Sequence, residues 1–131
     1  MTNNDTTLIP DQIMTGEHLY AEAINIILAS AERELLIFDQ DLSHGDFANK
    51  QKFELIQQFL NKSPSNQLTI VLQDTGYFKN KCPRLLDLLV IYGHKMTVYE
   101  TNQTAKHAKD CFILADDKNY VKRIHIDQAR F

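Results

Sequence analysis

The chain is poor in the features that mark a specialised class. It has two cysteines, Cys82 and Cys111, and no C-x-x-C pair, so neither a disulfide framework nor a cysteine-based metal site is expected. No apolar run approaches the roughly 18–20 residues that cross a bilayer. The first residues, MTNNDTTLIPD, lack the basic stretch and following apolar core of a secretory signal. Excess charge of one sign is also missing: 14 Lys and Arg stand against 17 Asp and Glu, a net charge of −3. That balance argues against a dedicated duplex-DNA binder, although a local basic cluster could hold one phosphate. The expectations are a cytoplasmic, reduced location, no membrane contact, no cofactor, no metal and no nucleic-acid partner. There is no internal repeat and no low-complexity tract.

What is present is ordinary for a single globular domain: 131 residues, 44% hydrophobic and 24% charged. A chain of this size can bury about two thirds of its unfolded surface without a metal or disulfide. Residues 1–13 read as a polar arm and 14–131 as one domain. Helical spacing of Leu19, Ala23, Ile26, Ile27 and Ala31 predicts a first helix from Thr15 to about Arg33. The run Leu35-Leu36-Ile37-Phe38 ending in Asp39 predicts an interior parallel strand. A polar connection carrying Gly45 leads to a second helix over 50–61, with Phe53, Ile56, Phe59 and Leu60 inward. A second strand over 68–72 and a polar loop opened by Thr75-Gly76 follow. Pro83 suits the first position of a third helix and Gly93 its stop. Its apolar face is wide, and the third strand covers 96–99. A nearly all-apolar strand over 111–115, a turn at 116–119 and a return strand over 120–126 make a C-terminal hairpin.

Strands alternating with helices of ten or so residues predict an α/β fold: a mostly parallel sheet with helices on its faces, extended by the hairpin in antiparallel pairing. Ligands of such sheets sit outside the carboxyl ends of the strands. The loops there, 39–49, 74–82 and 100–110, hold Asp39, Asp41, His44, Asp46, Asp74, Lys79, Lys81, Lys106, His107 and Lys109.

The run Lys109-x-Cys111-x-x-x-x-Asp116 resembles one half of the phospholipase D-like fold, whose active members carry His-x-Lys-x-x-x-x-Asp there. The resemblance implies phospholipase D-like topology, with a histidine that attacks phosphorus, a lysine on a phosphate oxygen and an orienting aspartate. Asp116 matches; Lys109 and Cys111 replace the histidine and lysine, so the half-domain is degenerate. The alternative pair His107-x-Lys109 is two residues out of register, about 7 Å along a strand. A closer resemblance is to a small bacterial domain of uncharacterised function with that topology and no catalytic motif. Ala31-x-x-Glu34-x-x-Ile37, Asp41-Leu42, Val71-Leu72-Gln73-Asp74, Arg84-Leu85-Leu86-x-Leu88, and Phe112-Ile113-Leu114-Ala115-Asp116 with Arg123 carry it, over residues 20–131.

The expected function is therefore a non-catalytic domain that binds a phosphate-bearing ligand or a partner protein. The alternative is a phosphodiesterase or nuclease using His107 and Lys109. Arg84, Lys109, Asp116, Arg123, His44 and Asp74 are the candidate ligand-binding residues. Arg84 leads, because a guanidinium at a helix start favours an oxyanion. His44, between Asp41 and Asp46, reads first as part of a solvated loop, and Cys111 as an inert core residue. Asp116 and Arg123 are expected to face each other across the hairpin. A homodimer through the strand-end loops is expected as well.

Overall fold

The computed structural model describes residues 15–101 and 111–123; the polar arm, Lys106, His107, Lys109 and the end of the return strand lie outside them. Helix α1 (Glu17–Ser30) follows Gly16 and buries Tyr20, Ala21, Ala23, Ile24, Ile27 and Leu28. This stripe is rotated from the expected one, leaving Leu19 exposed. Strand β1 (Glu34–Asp39) leads through residues 40–49 to α2 (Lys50–Asn61), capped by the Asn49 side chain accepting from the Lys52 N–H. Strand β2 (Gln67–Leu72) comes next. The loop expected after it contains a short helix, α3 (Gly76–Lys81), which buries Phe78. Helix α4 (Pro83–Ile91) begins on its proline as expected, and β3 (Met96–Glu100) follows. The hairpin is β4 (Cys111–Ala115) and β5 (Asn119–Arg123). Its tight turn is made by Asp116 and Asp117, both at positive φ, a conformation Asp tolerates better than most residues.

The sheet order is β3-β2-β1-β4-β5. β1–β2 and β2–β3 are parallel, whereas β4 lies antiparallel on the free edge of β1 and β5 antiparallel on β4. This corrects the expectation of a mostly parallel sheet with phospholipase D-like topology: the sheet is mixed, with as many antiparallel pairs as parallel ones. The hairpin does extend the sheet in antiparallel pairing, as expected; with only three strands before it, its two pairs equal the two parallel ones in number. The side of β1 on which the hairpin lands was invisible in the hydrophobic pattern.

Among the described residues the helices do not cover both faces. Two successive right-handed crossovers moving the same way across the sheet place their helices on the same side. Side chains of α1, α2, α3 and α4 share one core with Leu35, Ile37, Leu68, Ile70, Leu72, Met96, Ile113, Ala115 and Val121. The alternate positions, Leu36, Phe38, Thr69, Val71, Phe112 and Leu114, point the other way and are only half-buried. Among the described residues no helix is long and apolar enough to cross a membrane.

Candidate functional site

At the carboxyl end of β1 the elements converge. Antiparallel pairing sets Cys111 beside Asp39 and puts Arg123 opposite Cys111. The first turn of α1 brings Glu17 and Tyr20 over them. Arg123 is fully enclosed, gives two hydrogen bonds to the Glu17 carboxylate at 2.9 and 2.8 Å, and lies 4.8 Å from the centre of the Tyr20 ring. That fork holds the Glu17 carboxyl below its ordinary pKa and the Arg123 guanidinium above its own. His44 Nδ1 stands 3.5 Å from Glu17 Oε2, the oxygen that also accepts from Arg123 Nη2.

Asp39 is 2% exposed, accepts the Gln40 N–H at 2.6 Å and takes the Cys111 thiol at 3.3 Å. Burial raises the Asp39 carboxyl, and burial with the neighbouring Asp39 charge raises the Cys111 thiol well beyond the usual thiol range. The thiol therefore stays protonated at neutral pH and is a poor nucleophile. Burial also raises the Tyr20 phenol. Among the described residues no three His, Cys, Asp or Glu side chains gather to hold a metal ion.

The loop from Gln40 to Asn49 is less solvated than its composition suggested. Leu42 and Phe47 are enclosed in the core, and Asp41 turns back to accept both the N–H and hydroxyl of Ser43. Gly45 has φ 88°, and a Cβ there would stand 2.4 Å from Ile24 Cδ1. Only glycine lets the loop lie this close to α1 and hold His44 near Glu17.

Asp116 belongs elsewhere. It sits at the amino end of β1, where its carboxylate accepts the N–H groups of Glu32, Arg33 and Glu34 at 2.9, 2.7 and 2.9 Å. The expected Asp116–Arg123 pair does not form, because the residues mark opposite ends of the hairpin, roughly 16 Å apart at strand spacing. Asp74, at the carboxyl end of β2, is exposed and accepts the Gly76 N–H at 2.7 Å, starting α3. Arg84 is exposed in the first turn of α4, and Lys79 and Lys81 are exposed at the end of α3. The structure thus joins His44 and Arg123 through Glu17, and separates both from Asp116. Lys109 and His107 fall outside the described residues.

Sequence reasoning passed over Glu17 and Tyr20 as partners. One signal was available: alternation along Tyr120, Val121, Lys122 and Arg123 points the arginine inward with Val121, and an inward arginine requires a counter-charge.

Fold and cluster together define a two-layer, mixed-sheet α/β domain with an enclosed arginine–carboxylate pair at its strand ends. The chain belongs to the family described as a domain of unknown function (DUF7931), whose model matches residues 16–130. No curated protein matches it.

Proposed function

We infer that the domain is a non-catalytic binding module, which takes a phosphate-bearing ligand or a partner protein at the strand-end surface. The observation that carries this reading is the engagement of the polar groups there. Arg123 is committed to Glu17, and the buried Cys111 thiol, where a phosphodiesterase motif would need a lysine, is held protonated against Asp39. Neither group can be offered to a phosphorus centre without dismantling the fold around it. Among the described residues Arg84, with Lys79 and Lys81 nearby in the chain, forms an exposed cation set suited to an anion. Two enclosed single thiols, Cys82 and Cys111, fit a reducing, cytoplasmic setting.

The test has two arms. With bis(p-nitrophenyl) phosphate the purified protein should show no turnover above buffer. Turnover that His107→Ala abolishes would overturn the reading in favour of the displaced His107-x-Lys109 site. Titration with inorganic phosphate, followed by amide NMR, should move resonances over 77–85. Binding should be weak and fall with added salt, because exposed charges are screened.

A further inference from the structure

The sheet face turned away from the helices carries two rows of side chains. Cross-strand register places Thr97, Thr69, Leu36, Leu114 and Tyr120 in one row, and Tyr99, Val71, Phe38, Phe112 and Lys122 in the next. The rings of Phe38 and Phe112 stack at its centre with centroids 5.3 Å apart. At its two edges Tyr99 is 55% and Tyr120 62% exposed. Among the described residues no helix packs on this face, and the core cluster holds the opposite one.

We propose that this face is the surface through which two copies of the chain associate, sheet on sheet, about a two-fold axis running across the strands. Size is the first argument. Five strands about 4.8 Å apart and about five residues long cover roughly 24 by 17 Å. Allowing for side-chain relief, each copy would bury on the order of 500–600 Å², and the pair just over the ~1,000 Å² a specific interface requires. That is enough for a reversible dimer and too little for an obligate one.

Shape and charge select the second copy and the axis. Turned across the strands, the row of Leu36 and Leu114 lies on the row of Phe38 and Phe112 of the other copy, so aliphatic groups meet rings. Tyr120 then comes against Lys122 of the other copy, a cation beside an aromatic face. The acidic end of the face, Glu34 and Asp117, lines a shallow groove of about 190 Å³ with Leu36 and Leu114. An axis along the strands would stack these acidic ends on each other, whereas the axis across them keeps them apart. The groove itself is below the roughly 300 Å³ at which small-molecule pockets begin. The proposal stands independently of the strand-end reading above.

Sedimentation equilibrium from about 10 μM to about 1 mM tests it. The mass should climb from monomer towards dimer, with half-association at tens to hundreds of micromolar. Tyr99→Glu and Tyr120→Glu change exposed side chains, so amide spectra should show them folded. Each should weaken association at least about tenfold. Val90→Glu and Ile91→Glu, on the exposed apolar end of α4, should leave it unchanged. A monomer mass throughout would overturn the proposal, as would association that survives both tyrosine variants or is lost only in the α4 variants.

Discussion

Arg123 and Glu17 form a pair whose members are unequally placed: the guanidinium is fully enclosed, while the carboxylate is 56% exposed. Deleting either one is therefore not equivalent. Glu17→Ala leaves a buried positive charge without its bidentate partner, and the expected loss is about 2–4 kcal/mol, the lower part of the buried-pair range because the carboxylate side is solvated. Arg123→Met removes the charge, keeps an apolar stem against Tyr20 and frees an exposed carboxylate to water. It should lie within about 1 kcal/mol of the parent. Urea unfolding of the two variants gives the comparison, and the ordering is the outcome to check: the exposed residue matters more than the buried one.

At the scale of elements, two lysines close two helices. Lys62 Nζ donates to the carbonyls of Ala29 and Ala31 at 3.3 and 2.6 Å, and pairs with Glu32 at 2.7 Å. Lys95, itself buried, donates to the Leu60 carbonyl and to the Ser63 carbonyl at 3.0 Å. Each satisfies carbonyls left without an intrahelical partner, with a cation at the negative end of the helix. Lys62 does this for α1 and Lys95 for α2, whose last turn also gives its Phe59 carbonyl to the Asn66 amide at 2.7 Å. Lys95→Met should cost about 1–3 kcal/mol, since it takes the donor from the buried Leu60 carbonyl, whereas the Ser63 carbonyl keeps the Asn66 N–H. Amide hydrogen exchange should quicken in the last turn of α2 while α1 keeps its protection. Uniform quickening would mean that Lys95 supports the whole core instead of one helix end.

For the molecule as a whole, the carboxylates divide by the sign of their shifts. Contacts with Arg123 lower Glu17. Burial pushes Asp116 up, but hydrogen bonds from the Glu34, Arg33 and Glu32 amides outweigh it and leave that group lowered as well. A carboxyl depressed in the folded state contributes stability that is complete above its unfolded pKa and lost as the pH falls through the folded value. Asp39 is raised by burial, so its effect has the opposite sign: it favours the fold at low pH and opposes it once ionised. Stability should therefore fall below about pH 4. Asp116→Asn should be about 1–3 kcal/mol less stable than the parent at pH 7, because the amide offers one acceptor where three N–H groups converge. The gap should narrow as the pH falls through the lowered folded value of Asp116, and close once the group is protonated in both states. Urea midpoints across this range give the answer, and a gap that stays constant with pH would show that the charge of Asp116 is irrelevant.

The sequence by itself determined the elements and most of their order. The period of the apolar residues gave α2, β1, β2, β3 and the hairpin, and Pro83 gave the start of α4, because local sterics and one-sided burial act within a few residues. The alternation of β5 also carried the inward position of Arg123, a signal that the expected Asp116–Arg123 pair left unread. Tertiary structure alone decided the rest. The antiparallel hairpin was legible, but a burial period of two does not say which strand edge it joins, so only the closed sheet shows β4 lying reversed on β1. That reversal carries Asp116 to the amino end of the strands and leaves Arg123 at the carboxyl end. Residues 106 places apart in the chain, Glu17 and Arg123, meet only because α1 lies across the hairpin, and no local signal encodes that distance. Among the described residues the open sheet face has the same origin: crossovers of one hand moving in one direction put α2 and α4 on one side, where α1 also packs, and each strand's own pattern is blind to where its neighbours' helices pack.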